Sequence, residues 1–242
     1  HGVVEGKEQH VAVGTTLVNG AQHGWACGFD KQGNLIWNHT YNGTRKLSGV
    51  TEVPGGFVFA GTFNDADAFD PKGLVLKVDT SGQLLWKTVT FSGSLQVKEV
   101  RSVVHAGDVV LAGGLQVSFF PTTTRILQIA LDTHSGSIVW TQELFACEQM
   151  SYDPHITSLQ DGTFFYGSGG AGGNCSPPGQ FKSAALAAIT DSTGAVLQTG
   201  SFSEPTSIYF GSSTVTTQNK LVMVGTAPKP WVINLSTQMD ET

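Results

Sequence analysis

A fivefold internal repeat limits what this chain can fold into more than any other feature. An apolar run ending in glycine recurs as VAVGTT, FVFAGTF, VVLAGGL, FFYGSG and LVMVGTA. The five glycines, spaced 47, 52, 54 and 58 residues apart, are Gly14, Gly61, Gly113, Gly167 and Gly225. A period of this length is typical of solenoids, propellers and other arrays, in which each repeat is one supersecondary unit.

Two further anchors follow the glycine in a fixed order through the first four copies, and the first of them recurs in the fifth. The first is a turn sequence (GFDKQG, KVDTSG, ALDTHSG, ITDSTG) whose acidic members are Asp30, Asp79, Asp132 and Asp191, with Asn234 in the fifth copy. The second is a tryptophan seven or eight residues later, at Trp37, Trp86 and Trp140, with Gln198 in the fourth copy. Aspartate bonds the backbone two residues on and glycine supplies a positive φ, so the first anchor predicts a tight turn.

Each of the first four copies contains four short segments that are typical of β-strands. In the second copy they are GVTEVP, GFVFAGTF, GLVLKVD and QLLWKTVTF, apolar or alternating and bounded by turn residues. Four antiparallel strands in each repeat describe a β-propeller blade, and the tryptophan offers a large apolar area for packing one blade on the next. We therefore predict an all-β, five-bladed β-propeller of four-stranded antiparallel blades.

The whole chain, residues 1–242, is predicted to be a single propeller domain. The predicted blades cover approximately residues 1–43, 44–93, 94–146, 147–203 and 204–242. The sequence stops about where the tryptophan of a fifth outer strand would fall, so we expect the last blade to lack its outer strand. Either the blade is three-stranded, or the chain is trimmed, or more sequence follows in the native protein.

Composition narrows the classes of partner. Charged residues make up 13% of the chain and the formal net charge is −6, without long runs of one sign. Nucleic acids and anionic membranes both require a basic face, so neither is an expected partner. No apolar run reaches the ~20 residues that span a bilayer, so we expect no membrane insertion.

Four Asn-X-Ser/Thr sequons predict a glycosylated protein on a secretory route. They begin at Asn38, Asn42, Asn174 and Asn234. The alternative is that a chain rich in serine and threonine makes such sequons by accident.

The second copy, VPGGFVFAGTFNDADAFDPKGLVLKVDTSGQLLWKTVTFSG, resembles a propeller repeat of secreted bacterial and protist proteins. That repeat has the form GGY-hydrophobic-AG, a variable loop, then KLD-X-X-G-N-hydrophobic-hydrophobic-W. It is similar, more distantly, to quinoprotein-like propellers. The resemblance implies a propeller fold and an extracellular location, with functions that are mostly binding or unknown. Five copies are too few for an eight-bladed quinone enzyme, so we expect no cofactor.

The cysteines suggest one disulfide. Cys147 is predicted in the connection entering the fourth blade, and Cys175 in the loop between that blade's second and third strands, so both lie at one face of a propeller. In a secreted chain this placement predicts a Cys147–Cys175 disulfide, with Cys27 buried in a strand. Three reduced thiols are the alternative.

The loops that join second to third strands vary most in sequence, and we place the partner on this face, here called the top. They are LVNGAQ, NDADAFDP, QVSFFPTTT, GGAGGNCSPPGQF and APKP. Positions twelve residues before each anchor glycine should rim the central channel at the top; they are Gly2, Gly49, Arg101, His155 and Ser213. Arg101 and His155, with Tyr152 and Asp153 leading into the rim, predict a polar pocket for an anion or a sugar. A solvated channel mouth is the alternative.

Two other candidate sites rest on carboxylates. Glu5 and Glu52 occupy equivalent places on adjacent inner strands, where five-bladed glycosidases carry catalytic acids, so they are weak candidates for acid/base catalysis. Asp65, Asp67 and Asp70 alternate oxygen ligands as calcium prefers, but the loop lacks the glycine and bidentate glutamate of an EF-hand.

The sequence favours a non-catalytic, secreted binding or structural module that recognises a protein or glycan through its top-face loops. The first alternative is a glycan-acting hydrolase with carboxylates in the channel. The second is a fragment of a larger extracellular surface or matrix assembly.

Overall fold

The computed structural model describes residues 2–63, 71–92, 95–119, 122–148, 154–176, 179–203, 209–215, 220–226 and 230–236. Over these ranges the chain forms strands and turns and no helix, and hence no helix long and apolar enough to cross a membrane. The strands are β1 (Gly2–Glu5), β2 (His10–Val18), β3 (Ala21–Phe29), β4 (Leu35–Tyr41), β5 (Thr44–Val53), β6 (Gly56–Phe63), β7 (Lys72–Val78), β8 (Leu84–Val89), β9 (Phe91–Ser92), β10 (Leu95–Ala106), β11 (Val109–Phe119), β12 (Thr122–Asp132), β13 (Ile138–Glu148), β14 (His155–Ser158), β15 (Phe164–Ser176), β16 (Gly179–Thr190), β17 (Val196–Ser203), β18 (Tyr209–Val215), β19 (Lys220–Thr226) and β20 (Pro230–Ser236).

The strands pair in the order that the repeat predicts. β1–β4 and β5–β8 each form a four-stranded sheet in chain order, and β10–β13 and β14–β17 follow the same order. These last two sets join into one nine-stranded sheet that also takes in β9, because the end of β13 pairs with the end of β15. β18–β20 form a three-stranded sheet. The described strands therefore confirm an all-β, five-bladed propeller whose last blade has no fourth strand within the described ranges.

The chain packs as two compact units, residues 1–116 with 129–140 and residues 117–128 with 141–242. The core of the first unit lies between the first two sheets; its buried residues are Val11, Val13, Ala26, Trp37, Tyr41, Leu47, Phe57, Phe59, Leu74, Leu76 and Val78. The core of the second unit includes Leu159, Phe165, Ala187, Ile189, Leu221 and Met223. Each unit thus encloses apolar side chains contributed by successive blades.

Inner strands of successive blades lie side by side within each unit. In the first unit, a Cβ built on Gly2 would lie 2.9 Å from Ser48 O, and one on Gly49 would lie 2.8 Å from Arg101 O. In the second unit, the Thr157 and Ser213 hydroxyls form a hydrogen bond between β14 and β18. The first strand of each blade is therefore the innermost in these places, as the repeat predicts.

The turn between third and fourth strands has the predicted chemistry. Asp79 Oδ1 accepts hydrogen bonds from the backbone N–H groups of Ser81 at 2.8 Å and Gln83 at 2.9 Å. Gly82 then takes a φ of +80°. The same carboxylate-to-backbone pattern recurs at Asp30, Asp132 and Asp191. Hydrogen bonds lower the pKa of all four carboxyls; the largest cause is a side-chain hydrogen bond at Asp30, Asp79 and Asp191 and a backbone one at Asp132.

The predicted packing of tryptophan on the next blade is confirmed at two places in the first unit. The Trp37 ring contacts Gly82, and the Trp86 ring contacts Gly136. Trp37 Nε1 donates to Gln9 Oε1 at 3.0 Å, so its polar edge is satisfied although the side chain is buried. The tryptophan of one repeat thus rests on the turn of the next.

Three predicted loops are wrong. QVSFFPTTT lies mostly in strands, since β11 continues to Phe119 and β12 begins at Thr122. LVNGAQ reduces to a two-residue turn at Asn19 and Gly20, with φ values of 51° and 81°, flanked directly by β2 and β3. GGAGGNCSPPGQF is mostly strand, because the arms of β15 and β16 pair as far as Cys175↔Gly179 and so satisfy their backbone groups. Cys147 and Cys175 accordingly lie in β13 and β15 and not in connections.

Candidate anion-binding pocket

A pocket of about 310 Å³ opens in the first compact unit. Its lining residues are Gln22, Arg45, Lys46, Thr62, Pro71, Lys98, Glu99, Arg101 and Leu115. Gln22 follows the turn between β2 and β3, Thr62 is near the end of β6, and Pro71 precedes β7. The pocket therefore lies at the end of these blades where second and third strands connect, the end that the sequence predicts for a partner.

The pocket concentrates positive charge. The chain has 13 lysines and arginines, and four of them line this one pocket: Arg45, Lys46, Lys98 and Arg101. Glu99 is the one carboxylate among the lining residues. The lining therefore carries a formal excess of three positive charges in a protein whose net charge is −6.

Irregular strand pairing brings these side chains together. The register of β5 shifts between Thr44 and Lys46, which makes Arg45 the extra residue of a β-bulge. The register of β10 shifts at two places, which makes Lys98 and Arg101 the extra residues there. Neighbouring side chains in a regular strand point to opposite faces, and a bulge interrupts that alternation and re-aims a side chain. Consecutive residues can therefore line the same pocket.

Glu99 organises the charges around it. Its Oε1 lies 3.4 Å from Lys46 Nζ and its Oε2 lies 2.9 Å from Arg101 Nη2. The Glu99 side chain is only 18% exposed and that of Arg101 28%, so this ion pair is partly shielded from water. Arg45 Nε donates to Gln22 Oε1 at 3.3 Å. Lys98 is half-buried, and this desolvation lowers the pKa of its ammonium group.

Sequence reasoning identified Arg101 but missed Arg45, Lys46 and Lys98. One signal was available, because Lys46 and Lys98 each stand 15 residues before the anchor glycine of their repeat. His155 lies in β14 of the second unit, opposite Gly167 of β15. Tyr152 and Asp153 lie outside the described residues. A polar pocket formed by Arg101, His155, Tyr152 and Asp153 together stays a prediction.

The two candidate catalytic glutamates already make structural contacts. Both oxygens of the Glu52 carboxylate accept the Lys7 backbone N–H, at 3.1 and 3.2 Å. The Glu5 side chain is 78% exposed and lies 3.7 Å from Lys31 Nζ. Glu52 thus holds the turn that links β1 to β2, and the acid/base role of the pair stays a prediction.

The predicted calcium ligands Asp65, Asp67 and Asp70 lie outside the described residues. Within the described ranges, no group of three or more His, Cys, Asp and Glu side chains is arranged to hold a metal ion.

The sequons differ in their surroundings. Asn38 is exposed on β4, and its Oδ1 accepts a hydrogen bond from Trp25 Nε1 at 2.5 Å. Asn42 is exposed in the turn before β5, while the hydroxyl of Thr44 in the same sequon is buried and donates to Tyr41 O. Asn174 and Asn234 belong to β15 and β20, and their side chains lie outside the described set. Glycosylation of all four stays a prediction.

Cys147 and Cys175 are direct partners in the pairing of β13 with β15. Opposite residues in an antiparallel pair have Cα atoms about 4.5–5.5 Å apart, which is within the range that a disulfide bridges. Cys27 is a buried free thiol in β3, and burial raises its pKa. The backbone register therefore favours the predicted pairing.

No protein-family profile matches the sequence, and no curated protein matches it. Solved structures do resemble it. A GH43 β-1,3-galactosidase has a TM-score of 0.58 at 10% identity, over 93% of this chain and 52% of that one. A protein of unknown function from Bacteroides caccae has a TM-score of 0.54 at 13% identity, over 97% and 71%. A variant of the Synechocystis apocarotenoid oxygenase has a TM-score of 0.51 at 11% identity, over 94% and 55%.

The likeness is one of fold. At these identities the neighbours share a propeller-like architecture with this chain, and their activities do not transfer to it. The chain also spans only about half of the galactosidase and of the oxygenase.

Proposed function

We propose that the protein is a non-catalytic, secreted binding module that recognises an anionic group of a protein or glycan at the pocket around Arg101. The observation that carries this proposal is the gathering of four of the 13 basic residues around a single concave site. In a protein whose net charge is −6, this local excess of three positive charges would attract an anion.

The chemistry of the lining supports recognition of an anion. Arginine presents a planar fork of donors that matches carboxylate, sulfate or phosphate oxygens, and lysine presents a compact ammonium group. Arg101 and Glu99 are mostly shielded from water, where charge-assisted hydrogen bonds are stronger than at an open surface. An anion that enters the pocket could bind Arg101 and Lys46 while both still contact Glu99, so that no buried charge is left without a partner.

Binding is favoured over hydrolysis by the contacts of the glutamates. A retaining or inverting hydrolase needs two carboxyl groups that face one substrate. Here Glu52 is engaged by the Lys7 N–H and Glu5 lies beside Lys31. The two carboxylates therefore contact different partners, Lys7 N–H and Lys31, which favours a binding function.

The extracellular part of the proposal rests on two features. Asn38 and Asn42 are exposed, as glycosylated asparagines must be. The register of β13 and β15 would allow a Cys147–Cys175 disulfide, a bond that persists in oxidising compartments. A module of this kind could also serve as one part of a larger extracellular assembly.

The proposal is tested by fluorescence anisotropy with two labelled polyanions, a poly-glutamate peptide and a dextran sulfate oligomer, at low ionic strength. The wild type should bind at least one of them, and Arg45→Gln combined with Arg101→Gln should weaken that binding at least tenfold. The matched control is Arg125→Gln, which removes one cation that pairs with Glu143 and is not among the lining residues. Loss of affinity in the control equal to that in the double variant would overturn the proposal.

A further inference from the structure

The pocket has two cationic sides with an acceptor between them. Arg45 and Lys46 come from β5, whereas Lys98 and Arg101 come from β10. Glu99 lies between, within 3.4 Å of Lys46 and 2.9 Å of Arg101. A ligand that fills this site must place negative charge against both cationic sides. It must also either avoid the Glu99 carboxylate between them or donate hydrogen bonds to it.

An ionised carboxylate such as Glu99 accepts hydrogen bonds and donates none. A ligand made only of anionic acceptors would therefore be repelled by Glu99 while it is attracted by Arg101 and Lys46. A ligand that also carries hydroxyl donors would meet Glu99 favourably. Sugar rings that bear carboxylate or sulfate groups combine both kinds of group on adjacent atoms.

The uncharged part of the lining fits the same chemistry. Gln22 offers an amide and Thr62 a hydroxyl, whereas Pro71 and Leu115 are the only apolar residues of the lining. Protein interfaces are centred on buried aromatic or apolar anchors and cover about 800 Å² on each partner. A small concave site of about 310 Å³ without an aromatic side chain in its lining is instead at the lower end of the range for small ligands.

We infer that the ligand is an acidic oligosaccharide with anionic groups on neighbouring sugar rings. This inference rests on the proposed function and names its ligand class. The anionic groups contact Arg45 and Lys46 on one side and Lys98 and Arg101 on the other. Ring hydroxyls between them donate to Glu99. An acidic protein segment fits less well, because its Asp and Glu side chains supply acceptors alone.

The test is isothermal titration calorimetry with oligosaccharides of equal length that carry no anionic group, one, or two on neighbouring rings, beside a poly-glutamate peptide. The dianionic sugar should bind at least tenfold more tightly than the neutral sugar and more tightly than the peptide. Glu99→Gln keeps an acceptor but removes the charge. It should therefore raise the affinity for the peptide more than that for the sugar, so that the preference for the sugar falls at least threefold.

The outcomes separate this inference from the proposed function. Tighter binding of the peptide than of the dianionic sugar, lost in the Arg45→Gln and Arg101→Gln double variant, would overturn the acidic-sugar ligand and leave an anion-binding module. Equal binding of the neutral and dianionic sugars would also overturn it. If the wild type binds neither the dianionic sugar nor the poly-glutamate peptide, both the acidic-sugar ligand and the proposed anion-binding function are overturned.

Discussion

Gly136 lies directly against the indole ring of Trp86. A Cβ built on Gly136 would come within 2.5 Å of Trp86 Cε3, and Thr88 Oγ1 donates to Gly136 O at 2.6 Å. The same relationship joins Gly82 to Trp37. The turn glycine and the tryptophan recur together along the chain because the tryptophan of one repeat packs on the turn of the next.

Replacing Gly136 by alanine should lower the free energy of unfolding by about 3 kcal/mol. Part of this loss comes from placing a side chain at a φ of +72°, and the rest from the clash with Trp86. Gly33→Ala is the matched control, because Gly33 occupies the equivalent turn with a φ of +87° and nothing within 4 Å of its added Cβ. It should lose about 1–2 kcal/mol. Urea unfolding measures both, and equal losses would show that the contact with Trp86 is unimportant.

Acid should destabilise the fold through its aspartate turns. The side-chain hydrogen bond from Ser81, together with backbone hydrogen bonds, holds the pKa of Asp79 below its usual value of 3.8 in the folded state. A depressed folded pKa stabilises the fold above the unfolded pKa, and that stabilisation is lost as the pH falls through the folded pKa. The melting temperature should therefore fall between about pH 5 and about pH 2.

Asp79→Asn tests the source of this pH dependence. Asparagine keeps an Oδ1 acceptor for the Ser81 and Gln83 N–H groups but cannot be ionised. The variant should melt at a lower temperature than the wild type at neutral pH and should lose less on acidification. Parallel acid curves for the two proteins would contradict the prediction.

The paired strand positions of Cys147 and Cys175 predict a disulfide that closes a loop of about 28 residues. Such a loop should contribute about 3.5 kcal/mol to stability. Non-reducing peptide mapping should recover the two cysteines linked, and reduction should lower the melting temperature of the wild type but not of Cys147→Ser. Labelling of all three thiols in the unfolded, unreduced protein would show that no disulfide forms.

Glycosylation can be checked by the intact mass of the protein secreted from eukaryotic cells. Because Asn38 and Asn42 are exposed, we expect a mass above 25.6 kDa that returns to this value on enzymatic deglycosylation. Asn38→Gln and Asn42→Gln assign the sites, each removing one glycan. A bare chain of 25.6 kDa would contradict the secretory part of the proposed function.

The repeat made the architecture predictable from sequence. Each blade uses the same local rules, so Asp79 with Gly82 predicts the turn and Trp86 predicts the packing of the following turn. The end of β15 that contains Cys175 was not predictable in the same way. Its glycines, asparagine and serine favour loops by local propensity, and only pairing with β16 makes them a strand.

The pocket was harder to predict than the fold because it depends on register. Regular alternation would place Arg45 and Lys46 on opposite faces of β5. The bulges that bring them to one pocket are properties of how β5 pairs with β6 and how β10 pairs with β11. The local sequence shows the charges of Lys98 and Arg101 but not the register shifts that direct their side chains into the pocket.

The most direct test of binding at this pocket is acylation of lysines, read by mass spectrometry, with and without a bound sulfated hexasaccharide. Lys98 should react readily in the unliganded protein, because its lowered pKa increases the neutral amine. The bound ligand should protect Lys46 and Lys98, while Lys87, exposed outside the pocket, should react as before. Unchanged reactivity of Lys46 and Lys98 under conditions where the hexasaccharide is bound would place binding elsewhere and contradict the proposed site.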